Sequence, residues 1–433
     1  MSKTVIIGAG LAGLSAGYHA QQRDLDYEIY EAEAAVGGLC RTIEKDGFQF
    51  DYSGHWLHLK DPYFQNLVKN LLGDNLKVVA RNTAIYSHGV YTRYPFQANL
   101  YGLPAKVIKE CLMGFVKAYY ENEDLPTNAY RTFRDWIVAK LGRSIGEHFM
   151  FPYNKKLWTV PTDTMTCEWL GEYVPKPALE DVFDGAFEDQ PKGFGYNATF
   201  WYPKEGGIQV LCDAFASKVG AIHLNERVGL IDIKKRVVIL ESGKSAEYAQ
   251  VVSTMPLSLL IEKLSGNVPK EVKLAAQKLR HNSILIVNLG VKGESATDKH
   301  WIYIPEEKYA AYRVGIYSNV SRNLAPNAAA AYYVEIAYEK NGRVDKEHEI
   351  EKAIADMVEI GLIRNVEDIL MKDVVDIDCA YVIFDQHYAD SRREILDYLS
   401  DNHIFSIGRY GHWEYAGMEE AMIQGRDVIN QIV

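Results

Sequence analysis

Three glycines at fixed spacing, Gly8, Gly10 and Gly13, follow the apolar run Val5–Ile7 near the start of the chain. The first permits a tight turn, the second lets the backbone approach a pyrophosphate, and the third lets a helix pack closely on the preceding strand. The unpaired N–H groups at the start of that helix can bind an anion. Glu31 ends the next apolar strand, 18 residues after Gly13, where an acid is expected to meet a ribose hydroxyl. These residues predict a dinucleotide site.

The segment after Glu31 indicates which dinucleotide binds. Gly37-Gly38-Leu39-Cys40-Arg41-Thr42 resembles the flavoprotein group that includes amine oxidases, protoporphyrinogen oxidases and UDP-galactopyranose mutases. In that group the paired glycines and the arginine lie along the FAD diphosphate, a task that suits a planar, bidentate guanidinium. The resemblance therefore implies FAD as the cofactor. The cofactor-binding residues expected on this basis are Gly8, Gly10, Leu11, Ala12, Gly13, Glu31, Gly38, Leu39, Arg41, His55, Val228, Gly408 and Arg409.

Four further stretches resemble UDP-galactopyranose mutases, particularly the eukaryotic type, in the family's order and over most of the chain. They are Tyr94-Pro95-Phe96-Gln97, Asn154 to Trp158 with Val160-Pro161-Thr162, Asn197-Ala198-Thr199-Phe200, and Trp301 to Glu306 leading to Tyr312-Arg313. The resemblance implies an aromatic and amide platform for uridine, and tyrosines with an arginine for the diphosphate. The implied substrate-binding residues are Tyr94, Phe96, Gln97, Asn154, Trp158, Tyr173, Asn197, Tyr303, Arg313, Tyr388 and Tyr415.

The same resemblance implies a mechanism. His55, in Ser53-Gly54-His55, falls where the mutases carry a glycine–histidine loop against the flavin ring. His55 and Arg313 are the implied catalytic residues. The implied reaction interconverts pyranose and furanose forms of a nucleotide-diphosphate sugar. In it, reduced FAD attacks the anomeric carbon through N5, the nucleotide diphosphate leaves, and the sugar recloses on a different hydroxyl before the diphosphate returns.

One departure from the family leaves the substrate open. Tyr173 stands in Gly171-Glu172-Tyr173-Val174, where the family carries an arginine, and losing a charge-assisted bond to phosphate costs about 1.5–3 kcal/mol. The segment after Tyr415 is also shorter than the family's. The sequence therefore names neither the sugar nor the nucleotide.

Two other functions stay open. One is a redox flavoenzyme, an oxidase or desaturase acting on an amine or a nucleotide sugar. The other is a flavin-binding protein without turnover, for instance a scaffold or partner subunit. An oxidase consumes oxygen with its substrate, whereas a mutase works only with flavin that is already reduced.

The composition argues against several classes of partner. The formal net charge of -11 disfavours nucleic acid and anionic membrane surfaces. Five scattered cysteines without a C-x-x-C motif favour a reducing cytoplasm over a disulfide framework, and the sequence contains no recognisable metal-ligand set. No apolar run reaches about eighteen residues, so no membrane span is expected. We expect a cytoplasmic protein with a nucleotide-sugar substrate, and its oligomeric state stays open.

A chain of 433 residues can bury a large core and divide into two or three lobes. The expected class is α/β: a Rossmann-like FAD-binding domain with an inserted helical lobe and an antiparallel β-sheet substrate domain. We assign residues 1–85, 200–270 and 395–433 to the FAD-binding domain, 86–199 to the helical lobe and 271–394 to the sheet domain. Helical spacing in residues 103–149 with a cap at Thr132, alternation in residues 283–338 and a last helix in residues 418–432 support this division.

Overall fold

The computed structural model describes residues 3–122, 125–171, 173–190, 198–340 and 342–432. Asn197, one of the expected substrate-binding residues, lies outside them. The strands, in chain order, are β1 (Thr4–Ile7), β2 (Tyr27–Tyr30), β3 (Thr42–Lys45), β4 (Phe48–Asp51), β5 (Leu76–Ala80), β6 (Thr83–Ser87), β7 (Val90–Arg93), β8 (Thr199–Pro203), β9 (Ile222–His223), β10 (Val228–Asp232), β11 (Val237–Leu240), β12 (Ser245–Glu247), β13 (Gln250–Ser253), β14 (Leu264–Ser265), β15 (Arg280–Lys292), β16 (Trp301–Tyr303), β17 (Arg313–Ile316), β18 (Ala329–Glu339), β19 (Ile369–Ile377), β20 (Val382–Ile383) and β21 (Ile404–Ser406).

Helices occupy much of the remaining chain. They are α1 (Leu11–Gln21), α2 (Pro62–Leu72), α3 (Ala105–Asn122), α4 (Phe133–Leu141), α5 (Arg143–Ile145), α6 (Phe151–Trp158), α7 (Leu179–Phe187), α8 (Gln209–Ala216), α9 (Leu257–Lys263), α10 (Lys270–Lys278), α11 (Tyr317–Val320), α12 (Lys346–Glu359), α13 (Tyr388–Asp401), α14 (Gly408–Gly411) and α15 (Met418–Ile432). A π-helical segment, Gly146–Met150, joins α5 to α6. No helix in the described ranges has the length and apolar character needed to cross a membrane.

A five-stranded parallel sheet positions the glycine-rich turn. Its order is β21-β13-β1-β2-β9, and the strands therefore come from the beginning, the middle and the end of the chain. The fully buried Val5 and Ile6 explain why β1 is central, because a strand covered on both faces needs apolar residues throughout. The turn between β1 and α1 lies at the carboxyl ends of these strands, where ligands bind in doubly wound sheets.

A second, eight-stranded sheet carries the other candidate residues. Its main path is β19-β15-β18-β17-β16-β6-β7, and β20 pairs with β15. The contacts are antiparallel except that β16 runs parallel to β6. β17 and β18 pair in a register that sets Arg313 directly opposite Glu335. Such cross-strand neighbours have side chains on the same face of the sheet.

The structure confirms the α/β class and several local predictions. Thr132 forms a capping box with Asp135 at the start of α4, and α15 spans the residues predicted for the last helix. The division into three lobes stays a prediction, and one boundary needs adjustment. Residue 85 falls inside β6, whose antiparallel pairing with β7 and parallel pairing with β16 keep both strands of this hairpin in the large sheet.

Candidate active site

The glycine-rich turn has the geometry of a phosphate cradle. Gly8 has φ +95°, and a side chain on Gly13 would overlap the carbonyl oxygen of Gly8. Gly10 differs, because a Cβ there would meet no protein atom closer than the Cα of Gly38, at 3.7 Å. Gly10 precedes α1 without a side-chain cap, which leaves the first N–H groups of α1 for an anion. The space beside Gly10 is therefore suited to a ligand phosphate.

Glu31 and Arg41 flank this cradle. Glu31 is buried and accepts hydrogen bonds from the backbone N–H of Ala9 (2.6 Å) and of Glu33 (3.0 Å). Arg41 donates from Nη2 to the carbonyl of Ala35 (2.7 Å), while its buried Nε has no partner in the described chain. An unpaired buried guanidinium donor is costly, so a phosphate oxygen at this position fits the arrangement.

The remaining expected cofactor residues are distributed around the cradle. Leu11 and Ala12 begin α1, and a Cβ on Gly408 would lie 3.0 Å from the Cβ of Ala12. The buried Val228 begins β10, close to where the N–H of Glu226 donates to the carbonyl of Glu31 (2.8 Å). The contacts of these residues with FAD remain a prediction.

His55 lies in the loop after β4, within electrostatic range of Arg409, Glu335 and Arg313. Its Nδ1 is 3.2 Å from the carbonyl oxygen of Ser53. A carbonyl only accepts hydrogen bonds, so Nδ1 carries the proton and Nε2 is an acceptor. Burial lowers the pKa of His55 to about 4. At neutral pH this imidazole is uncharged.

A cleft of about 770 Å³, including its open mouth, brings together residues from distant parts of the chain. It lies between α6, the loop that follows residue 168, the start of β17 and the segments before β20 and after α14. The expected substrate residues that line it are Tyr94, Gln97, Asn154, Trp158, Tyr173, Tyr303, Arg313 and Tyr415.

Aromatic rings form most of the cleft wall. The rings of Tyr94 and Tyr303 lie 5.0 Å apart. At the other end, Tyr173 donates its hydroxyl to the carbonyl of Tyr415 (3.1 Å) and packs edge-on against that ring at 4.5 Å. The guanidinium of Arg409 lies 4.9 Å from the ring of Tyr415, and no described carboxylate pairs with it. Tyr173 and Tyr415 thus form one connected part of the cleft wall.

Arg313 lies in the cleft wall and is already paired with an acid. Its Nε and Nη2 donate to the two carboxylate oxygens of Glu335, with Nη2 at 2.8 Å from Oε1. The side chain of Arg313 is 17% exposed and that of Glu335 is fully buried. No residue of the described chain bonds to Nη1 of Arg313, so this nitrogen is available to a ligand.

Two expected substrate residues do not line the cleft. Phe96 is fully buried and stacks on Phe149 at 5.1 Å, so its ring supports a lining residue and does not itself face the cavity. Tyr388 donates its hydroxyl to the carbonyl of Trp413 (2.9 Å) and packs on Phe384. Both rings make packing contacts in this structure, and a contact of either ring with substrate stays a prediction.

Asn154 has a different role from the one expected. Its amide nitrogen donates to the carbonyl of Met150 (2.7 Å), and its oxygen accepts from the indole of Trp158 (3.2 Å). These bonds orient Trp158 in the wall. A direct contact of Asn154 with the base remains a prediction.

Sequence reasoning missed three residues at this site. Tyr153 and Tyr381 line the cleft, and Tyr381 stacks on Tyr415 at 5.9 Å. Glu335 is buried beneath Arg313. A signal for Glu335 exists in the sequence, because it is the one charged residue among the apolar and aromatic residues 329–338 of β18. Tyr153 and Tyr381 carry no such signal among so many tyrosines.

The chain was compared with known proteins. Residues 11–433 match the family described as flavin containing amine oxidoreductase. Among curated proteins, 69 residues are 29% identical to protoporphyrinogen oxidase 2, chloroplastic/mitochondrial, of Arabidopsis thaliana, over 16% of this chain and 14% of that protein. A stretch of 66 residues is 38% identical to 4,4'-diaponeurosporene oxygenase of Staphylococcus haemolyticus, over 15% of this chain and 13% of that protein. The chain thus matches only about a seventh of the length of these relatives.

Solved structures give likenesses over the full length. A crystal structure of reduced UDP-galactopyranose mutase superposes with a TM-score of 0.94 at 27% identity, over 100% of this chain and 95% of that chain. Putrescine oxidase bound to putrescine superposes with a TM-score of 0.67 at 17% identity, over 100% of this chain and 98% of that chain, which is a likeness of fold alone. Since the family match extends from the first turn of α1 to the last residue, the chain belongs to the flavin-containing amine oxidoreductases, and its cofactor is FAD.

Proposed function

We propose that this flavoprotein is a mutase that interconverts the pyranose and furanose forms of a nucleotide-diphosphate sugar. The observation that carries the proposal is the cleft, which is lined by eight of the residues aligned with the substrate site of UDP-galactopyranose mutases. The full-length likeness to reduced UDP-galactopyranose mutase supports it, because putrescine oxidase superposes much less closely.

The cofactor end of the site is built from this chain's own groups. Gly10, the first turn of α1, Glu31 and Arg41 would hold FAD, and the unpaired Nε of Arg41 would bind a phosphate oxygen. Bound in reduced form, FAD would supply the nucleophile for the anomeric carbon. The neutral His55 would present Nε2 as a hydrogen-bond acceptor on the flavin side, because Nδ1 is held by the carbonyl of Ser53.

The substrate end offers one cation and several aromatic hydroxyls. Arg313 would bind the departing diphosphate through Nη1, and its pairing with Glu335 keeps the guanidinium in one orientation. The neighbouring rings of Tyr94 and Tyr303 would give a nucleobase a stacking platform. A preorganised donor in a partly water-excluded cleft stabilises developing negative charge more than the same donor does in water.

The test is a panel of sugar nucleotides incubated with dithionite-reduced holoenzyme and analysed by chromatography. We expect isomerisation of one nucleotide sugar by reduced enzyme and none by oxidised enzyme. Arg313→Lys, which keeps the charge but loses the fork, lowers kcat/KM by about 10- to 100-fold. Arg322→Lys is the matched control, since Arg322 bonds the carbonyl of Ala329 at a distance from the cleft. Absence of conversion across the panel contradicts the proposal.

The second candidate is an oxidase or desaturase, which the curated relatives favour. It predicts oxygen consumption when substrate meets oxidised enzyme. Among the described lining residues the charged one is Arg313, and no carboxylate lines the cleft. A cationic amine would meet no opposite charge there, so an amine is the less suitable substrate.

A further inference from the structure

Glu335 joins two parts of the candidate active site that are distant in sequence. Its carboxylate is fully buried on β18, opposite Arg313 on β17. It accepts two hydrogen bonds from Arg313 and one from the hydroxyl of Ser53. These three donors satisfy a charge that would otherwise be costly to bury.

Ser53 extends the connection to His55. Its side chain donates to Glu335, and its backbone carbonyl accepts from Nδ1 of His55 at 3.2 Å. Ser53 adopts a positive φ of +74°, a conformation that is uncommon for a residue with a side chain. The bond to Glu335 therefore holds the loop in a shape that it would not favour alone. The four residues form one chain of hydrogen bonds.

The pairing also decides which edge of Arg313 a ligand can reach. Glu335 occupies Nε and one edge of Nη2, so the opposite edge, with Nη1, is left for the cleft. Stability alone does not explain this arrangement, because a buried ion pair is often no more stabilising than apolar residues of similar size.

We propose that Glu335 is a positioning residue that holds Arg313 and the Ser53–His55 loop as one unit. The role in turnover rests on the proposed function. The physical coupling between the substrate side and the flavin side does not depend on it.

A double-mutant cycle tests the coupling, because Ser53 and Arg313 meet through Glu335. Ser53→Ala, Arg313→Lys and the double variant are prepared as FAD holoenzymes. Two quantities are measured: the flavin absorption spectrum without ligand, and the dissociation constant of UDP by flavin fluorescence. We expect Arg313→Lys to shift the ligand-free spectrum. We also expect the combined effect on the dissociation constant to differ from the product of the single effects by at least about threefold.

Ser283→Ala is the matched control serine. Ser283 is buried in the same sheet, and its hydroxyl donates to the carbonyl of Asp378 (2.7 Å). In the double variant of Ser283→Ala and Arg313→Lys, we expect the change in the dissociation constant of UDP to equal the product of the two single changes. The proposal is overturned if Ser53→Ala and Arg313→Lys change the dissociation constant of UDP independently and Arg313→Lys leaves the ligand-free flavin spectrum unchanged. If UDP fails to bind wild-type enzyme, the proposed function fails, while the spectral comparison still decides the coupling.

Two substitutions at Glu335 itself guard against misfolded variants. Glu335→Gln keeps the size of the side chain, but in either orientation its amide nitrogen faces one of the two Arg313 donors, so we expect the flavin spectrum to shift. Glu335→Asp is too short to reach both Arg313 and Ser53, and we expect the ligand-free spectrum to shift as in Arg313→Lys. A wild-type spectrum for Glu335→Asp contradicts the positioning role.

Discussion

At the scale of single residues, Gly10 and Gly13 have different reasons to be glycine. Gly13 is needed by the fold, because a side chain there overlaps the carbonyl of Gly8. Gly10 has φ -71° and ψ 176°, which any residue adopts, and the nearest atom that a Cβ there would meet is the Cα of Gly38, at an ordinary contact distance of 3.7 Å. The absence of a side chain at position 10 is therefore explained by the space that the cofactor needs and not by the fold.

We expect Gly10→Val to give folded protein without flavin. The added methyl groups enter the phosphate path while the backbone stays unstrained. The flavin absorbance and the far-ultraviolet circular dichroism of the purified variant measure the two effects. Gly13→Val is the contrasting variant and is expected to fail to fold. Full flavin content in Gly10→Val contradicts this placement of the diphosphate.

His55 gives a prediction about pH. Burial lowers its pKa from the usual value of about 6.5 to about 4 in the folded chain. The unfolded chain therefore binds the extra proton first, and stability falls as the pH drops from about 6.5 to about 4. His55→Gln lacks this titration, so its free energy of unfolding relative to wild type rises by about 2 kcal/mol between pH 7 and pH 5. Urea unfolding at the two pH values measures the difference, and a constant difference contradicts the assignment.

At the scale of elements, Lys156 ties α6 to the segment between β16 and β17. Its ammonium group donates to the carbonyls of Ile304 (2.9 Å), Glu306 (3.0 Å) and Ala311 (2.6 Å). Burial lowers its pKa to about 7. The segment that it holds leads from Tyr303 to Arg313, so this lysine shapes the cleft from behind.

We expect Lys156→Met to lower the free energy of unfolding by about 3 kcal/mol, because three partly buried carbonyls lose their donor. Ligand binding weakens as the segment loosens, whereas flavin content stays normal. Lys155→Met is the control, since Lys155 and Glu307 are both more than half exposed and such pairs contribute less than about 1 kcal/mol. Denaturant unfolding of the two variants compares them. An equal loss of unfolding free energy in the two variants contradicts the role given to Lys156.

The elements also show how far the sequence could predict this molecule. The apolar strands, the capping box at Thr132 and α15 depend on local patterns, and these were predicted well. The packing of Phe96 on Phe149 and of Tyr388 on Phe384 could not be predicted, because motifs do not tell which way a buried ring faces. Glu335 was missed because its partners, Ser53 and Arg313, become visible only once the strand register is known.

At the scale of the whole molecule, the dinucleotide-binding sheet depends on both ends of the chain. The first strand pairs with β13, which pairs with β21. The last helix covers the first: Ser15 donates its hydroxyl to the carbonyl of Met422 (2.7 Å), and a Cβ on Gly425 would lie 2.5 Å from the carbonyl oxygen of Ala12. One face of the helix that begins the phosphate cradle is therefore covered by α15.

The packing of α15 on α1 determines when the protein can bind its cofactor during synthesis. The glycine-rich turn leaves the ribosome early, but one face of its helix stays uncovered until α15 has been translated. We expect ribosome-bound chains that end before Met418 to retain no flavin, and chains carrying α15 plus a linker that clears the ribosome to retain it. Flavin retention by purified ribosome complexes measures this directly. In the cell, nascent chains would then depend on chaperones until the last helix emerges.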